Sequence, residues 1–186
     1  MEITQLINDG FAWTAARVAA VTPDQLDLPT PCSLWDLEEL LDHTIESMTM
    51  LTEAIEAETL GESDVSPMGS RRWDVAVAAL AERNRRAWAS RGVMDRTIEL
   101  PFGSVPAPNA ASVTLLEVVV HGWDIGQASG EAPDIPESLA VPVLDFAPAV
   151  DANRGENFAA DLGVGDTPSD RVVAFLGRKP LWGRAR

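Results

Sequence analysis

Three side chains able to hold a metal or move a proton lie within one short stretch, Glu117-Val118-Val119-Val120-His121-Gly122-Trp123-Asp124. Around them Leu115, Leu116, Val118, Val119, Val120, Trp123 and Ile125 are apolar in nearly every direction about a helix axis. A helix of that kind is buried in the middle of its domain. At about 100° per residue, Glu117, His121 and Asp124 fall within an arc of about 60° and form one polar stripe. Glu117 and His121 are four apart, so their Cβ atoms come to about 5–6 Å and both side chains can reach one ion. An ionised carboxylate in such a helix is costly unless it is paired or bound to a metal. Two arrangements meet that demand: a Glu117–His121 hydrogen bond or a pairing with a neighbouring arginine, and a shared metal ion.

The chain has two histidines in all, and the other is His43. It falls mid-helix in an earlier amphipathic segment, about 60° beyond Leu40 at the edge of the apolar stripe. If that helix faces the later one in an antiparallel bundle, His43 completes a His–Glu–His set. Three protein ligands with a fourth position open is the pattern of a catalytic zinc site, whereas structural sites are closed by four. Asp124, one turn from His121, is then a candidate to orient an imidazole or receive a proton. A helix-end carboxylate paired with an arginine is the competing reading for Asp124.

The elements that must position these groups read as helices. Residues 2–21 carry Leu6, Ile7, Phe11, Ala15, Val18 and Ala19 at helical intervals, and Thr22-Pro23 ends that run. After the Pro-rich stretch Leu28 to Cys32, Ser33 with Asp36 reads as a capping box opening a helix to about Glu58. Gly61 to Pro67 reads as a loop, and a third helix is expected from about Ser70 to Arg91. Its inner face is Trp73, Val77, Leu80 and Trp88, and Arg83, Arg85 and Arg86 read as a solvated basic face. Residues 95–106 alternate like strands about Pro101-Phe102-Gly103-Ser104, which predicts a small hairpin. The fourth helix is expected from about Ala110 to Ser129, closed by Gly130. A segment from Pro136 to about Val150 is interrupted by Pro142. Thr167-Pro168-Ser169-Asp170 starts a last short helix that Gly177 ends. The pattern predicts an all-α four-helix bundle with one hairpin before the fourth helix. It reads as a single domain, 1–186, with the bundle in 1–130 and a partly irregular extension, 131–186, packed on it.

The composition narrows the function classes. With 29 acidic against 14 basic residues and a net charge of −15, the surface repels phosphate and disfavours nucleic acid and anionic lipid as partners. No apolar run approaches the ~20 residues of a membrane helix. The N-terminal residues lack the basic-then-apolar order of a secretory signal, so a cytoplasmic protein is expected. The single cysteine, Cys32, excludes an intrachain disulfide and a Cys-rich zinc cluster. Cys32 itself reads as a packed loop thiol, with a nucleophile near a helix N-terminus as the lesser reading. Trp35 and Trp123 read as core aromatics that are also placed to line a pocket.

The stretch Thr30-Pro31-Cys32-Ser33-Leu34-Trp35, with Leu40 and His43 downstream, resembles the first signature of actinobacterial DinB/YfiT-like proteins. That group includes the mycothiol-dependent maleylpyruvate isomerases. Glu117 to Asp124 is similar to the second signature, E-x-x-x-H-G-W-D, and Asp170 to Arg178 resembles the tail of a subgroup of short members. The resemblance implies a DinB-like four-helix bundle holding a divalent metal through His43, Glu117 and His121, zinc first and nickel as the alternative. It also implies mycothiol or a similar low-molecular-weight thiol as co-substrate. The isomerase has a separate C-terminal domain where this chain has only a short Pro- and Gly-rich extension, so its substrate does not carry over. The expected function is a metal-dependent thiol S-transferase or isomerase acting on a small electrophile, as a monomer or homodimer. A metal-assisted hydrolase and a non-catalytic metal- or ligand-binding protein are the alternatives.

Overall fold

The computed structural model describes residues 2–33, 35–60, 72–149, 154, 158–163 and 165–181, with the side chains of 58–60 left out. Its helices are α1 (Ile3–Ala20), α2 (Leu37–Leu60), α3 (Trp73–Trp88), α4 (Ala107–Ala128), α5 (Glu137–Phe146) and α6 (Pro168–Phe175). The antiparallel hairpin β1 (Thr97–Leu100) and β2 (Gly103–Pro106) pairs Ile98 with Val105 and Leu100 with Gly103. Mostly helical structure with one hairpin is the architecture the sequence predicts. No helix among the described residues is long and apolar enough to cross a membrane.

Helix α4 is the axis of the molecule, as its all-round apolarity requires. From Leu115 to Ala128 every residue except Glu117 is buried. Helices α1, α2 and α5 pack against it, and α1 does so most extensively. The α1–α4 contact is close because Gly122 has no side chain: a Cβ there would lie 2.2 Å from Thr14 Oγ1. The Thr14 hydroxyl instead donates to the Val118 carbonyl at 2.7 Å, a fully buried bond that fixes how α4 is turned about its axis. That rotation decides where the polar stripe points.

Three boundaries differ from expectation, each for a local reason. The reciprocal cap at the start of α2 joins Asp36 to Glu39, with Glu39 N–H donating to Asp36 Oδ1 at 2.9 Å and Asp36 N–H to Glu39 Oε2 at 3.0 Å. Ser33 does not open the helix, because the backbone there is tied into a turn by Trp35 N–H on the Cys32 carbonyl. Helix α4 starts at Ala107, three residues early. Its first turn accepts Pro108, and Ala107 N–H donates to the Arg96 carbonyl, so the hairpin runs straight into the helix. Helix α5 passes through Pro142; the carbonyl deprived of a partner belongs to Ser138, which is exposed. The expected loop 61–67, the Ser70 start of α3 and Val150 lie outside the described residues.

The basic face of α3 also needs correcting. Arg85 and Arg86 are exposed and pair with Glu82, but Arg83 turns inward. Its guanidinium donates to both oxygens of Glu56 on α2, at 3.2 and 2.6 Å, with Glu56 itself buried.

Candidate metal centre

Helix α4 presents Glu117, His121 and Asp124 on one stripe, and α2 brings His43 and Ser47 against it. The rings of His43 and His121 stand 5.0 Å apart and nearly perpendicular. One ligand atom from each of His43, Glu117 and His121 lies within 4.8 Å of the others. The two helices thus bring together the three residues expected to form the site.

The donor chemistry fits a metal ion such as zinc. Donors around a tetrahedral zinc, with bonds of about 2.0–2.2 Å, sit roughly 3.3–3.5 Å apart. His121 Nε2 is 3.2 Å from Glu117 Oε2, already near that edge length. Glu117 keeps 24% of its side chain exposed, so the set opens toward solvent on one side. The Ser47 hydroxyl donates to Glu117 Oε2 at 3.1 Å and holds the carboxylate toward the histidines. Trp35 lies over His43 with ring centroids 4.1 Å apart and planes inclined by 31°, which limits how that imidazole can turn.

Behind His121 lies a second layer of polar groups. Asp124 is fully buried, and its Oδ2 stands 3.4 Å from His121 Nδ1. That nitrogen is itself buried and makes no hydrogen bond of good geometry. The Asp124 carboxylate receives Arg178 Nε on both oxygens at 3.0 Å and the Cys32 thiol on Oδ2 at 3.2 Å. One Arg178 Nη atom in turn reaches Cys32 Sγ at 3.5 Å. Cys32, His121 and Asp124 also offer ligand atoms within 4.8 Å of one another, but the Arg178 guanidinium already lies against two of these three residues. Cys32 is placed by its loop: the buried Thr30 hydroxyl lies 2.9 Å from the Cys32 carbonyl and 2.8 Å from that of Trp35.

The electrostatics follow from this arrangement. Burial pushes His121 toward the neutral form, but the hydrogen-bonding groups of Asp124, Cys32 and Glu117 outweigh it and hold the imidazole well above its usual range. His43 shifts the other way, lowered first by burial and then by the neighbouring His121. Burial would raise Glu117 and Asp124, yet both carboxyls sit below their ordinary values. His121 and Ser47 stabilise the Glu117 carboxylate, and Arg178 with His121 stabilises that of Asp124. His121 thus lies between two carboxylates that both favour its charged form.

Arg178 is the functional-site neighbour that sequence reasoning missed. It lies 54 residues from Asp124; the stretch Asp170 to Arg178 resembles the tail of short family members but carries no assigned role there, and Gly177 reads only as a helix stop. Ser47 was missed as well, since a serine on an amphipathic helix gives no sign of what it will meet.

Comparison with known proteins agrees with this architecture. A protein named only as uncharacterized, from two strains of Mycobacterium tuberculosis, is 32% identical over 180 residues, covering 94% of each chain. The crystal structure of a histidine-to-alanine mutant of the mycothiol-dependent maleylpyruvate isomerase superposes with a TM-score of 0.58. The match covers 91% of this chain and 77% of that one, at 18% identity, and shows a shared fold. The family model described as the mycothiol maleylpyruvate isomerase N-terminal domain matches residues 8–126, which include every helix-borne donor of the site. This chain belongs to the mycothiol maleylpyruvate isomerase N-terminal domain family.

Proposed function

We propose that His43, Glu117 and His121 hold a divalent metal, zinc in the first instance, and that the protein is a thiol-dependent S-transferase or isomerase. Its co-substrate would be mycothiol or a similar low-molecular-weight thiol, and its second substrate a small electrophile. The observation that carries the reading is the convergence of two imidazoles and one carboxylate from two helices, all within 4.8 Å. The family assignment supports the thiol, because the isomerase structure with this fold is described as mycothiol-dependent. A bound zinc would supply a Lewis acid beside which a thiol ionises at neutral pH.

The chain's own residues supply the rest. Glu117, steadied by Ser47, offers an anionic donor toward the open side, and its negative charge offsets the cation. Asp124 can accept a hydrogen bond from the Nδ1–H of His121, leaving the Nε2 lone pair facing Glu117. Trp35 covers the His43 side of the centre with an apolar wall. Glu117 is a ligand in this arrangement and not a general base, which favours thiol chemistry over attack by an activated water.

Elemental analysis of the purified protein, paired with the His43→Ala variant, tests the metal. One equivalent of zinc is expected in the wild type, with much weaker retention in the variant; no stoichiometric metal, or unchanged affinity in His43→Ala, would sink the assignment. Turnover of a panel of small electrophiles with and without mycothiol tests the reaction class. Turnover without thiol would indicate a hydrolase, and full metal occupancy with no turnover would indicate a binding protein.

A further inference from the structure

The last turn of α6 does more than end a helix. Gly177 adopts φ +71°, and its N–H donates to the Ala174 carbonyl while Arg178 N–H donates to Val173. This is the two-bond glycine termination in which the residue after the left-handed glycine is aimed back across the helix end. A side chain at Gly177 would be strained by that φ and would place its Cβ 2.6 Å from the Cβ of Ala159. The residue so aimed is Arg178. It is 92% buried, a depth arginine reaches only when paired, and its guanidinium also lies 5.7 Å from the Phe158 ring centroid.

We propose that Arg178 is a positioning residue for His121, acting through Asp124, so that the C-terminal segment is a working part of the metal centre. The inference rests on the metal reading above and adds to it an element that the family match, residues 8–126, does not include. The chain of contacts runs from Arg178 Nε to both Asp124 oxygens, and from Asp124 Oδ2 to the buried His121 Nδ1. The Nε–H is shared between the two carboxylate oxygens while Nη1 reaches the Leu176 carbonyl and Nη2 the Cys32 sulfur, so the planar guanidinium is held at three points, which a lysine with its single compact charge cannot reproduce. A fixed Asp124 oxygen beside Nδ1 selects the imidazole form that carries its proton on Nδ1 and directs the lone pair of Nε2 toward Glu117 and His43. The unpartnered state of Nδ1, 3.4 Å from its acceptor, leaves the small ring rotation that would close this bond on metal binding.

Zinc titration of wild type, Arg178→Gln and Arg178→Lys, each confirmed as folded by circular dichroism, tests the proposal. Loss of the grip should weaken zinc binding by about 10- to 100-fold, the range for groups that orient a ligand histidine. Arg178→Lys should recover only part of that loss. A folded Arg178→Gln protein with wild-type zinc affinity overturns the proposal, whereas a wild type that binds no zinc overturns the metal reading instead. Nitrogen NMR of the zinc-loaded wild type needs no variant: a proton on Nδ1 of His121 and metal on Nε2 is expected. The opposite tautomer overturns the proposal even if every Arg178 variant fails to fold.

Discussion

Arg83 and Arg178 are both drawn inward by carboxylates, and they do different work. Between α2 and α3, Arg83 meets Glu56 two-on-two, while the neighbouring Asn84 amide donates to the Thr52 hydroxyl. Near the C-terminus, Arg178 meets Asp124 with one nitrogen on two oxygens, and the same carboxylate also takes the Cys32 thiol and faces His121. At the first site the charged groups satisfy one another and present nothing to a ligand. At the second the carboxylate is shared, and the sharing leads outward through His121 to a set of donors open to solvent. A buried ion pair by itself is weak evidence for function, since structural ion pairs with no part in a site also bury and perturb their charged groups. What separates the two is whether the pair also bears on a ligand-competent histidine.

The sharpest way to break the comparison is to remove the carboxylate from each pair in turn. Asp124→Ala strands the Arg178 charge in the interior and should cost about 3–5 kcal/mol of stability, read as a lower urea midpoint. It should also weaken zinc binding in whatever folded protein remains. Next in size is His121→Ala. One ligand's share of the ~10–16 kcal/mol found for structural zinc sites implies a loss on the order of a hundredfold or more in zinc affinity. Glu56→Ala should come third, at roughly 1–3 kcal/mol, because Arg83 is partly exposed and water relieves it. Zinc affinity should be untouched there; a change would mean that the α2–α3 pair is coupled to the centre and the contrast drawn above is false.

The raised pKa of metal-free His121 gives the same centre a pH signature. Its favourable interactions with Asp124 and Glu117 stabilise the metal-free fold below the ordinary imidazole pKa of about 6.5. That contribution disappears as pH rises through the raised folded value. Zinc needs the neutral ring, so uptake at pH 7 should expel a proton, and affinity should climb with pH until His121 has titrated. Calorimetry in two buffers of different ionisation enthalpy measures the proton directly. Uptake at pH 7 with no proton released would contradict the assignment of His121 as a ligand.

Much of this was legible in the sequence because the signals are local and periodic. The stripe Glu117, His121, Asp124 on an otherwise apolar helix states its own geometry, and α4 is buried as that pattern demands. His43 was readable from its place at the edge of an amphipathic face. Arg83 and Arg178 were not, because an arginine carries its charge on a long stem, and which carboxylate it meets depends on helix packing. Gly177 shows the limit well: it marks a helix end in one dimension, but only the fold shows that the next residue is aimed at Asp124. The Asp36–Glu39 cap was obscured by an equally good Ser33–Asp36 spacing, and a turn at Cys32 and Trp35 decided between them.

The smallest expected effect is the one that best discriminates between the two donor sets around His121. If His43, Glu117 and His121 are the ligands, the Cys32 thiol only joins Arg178 as a donor to Asp124, at 3.2 Å from Oδ2. Cys32→Ala should then cost about 1 kcal/mol or less, since Arg178 continues to satisfy the carboxylate. It should leave zinc affinity within a few-fold of wild type, and a modest gain is consistent, because Oδ2 is freed for the Nδ1 proton of His121. If instead Cys32, His121 and Asp124 hold the metal, zinc would have to displace Arg178 and bind the sulfur as a thiolate. Losing that sulfur would then reduce affinity by a hundredfold or more, on the same one-ligand reckoning. Cobalt substitution separates the cases in the wild type: intense sulfur-to-metal charge transfer in the near ultraviolet is expected only from the second set. Its absence, with Cys32→Ala binding as wild type, would leave Arg178 in its place on Asp124 and assign the metal to the two histidines and Glu117.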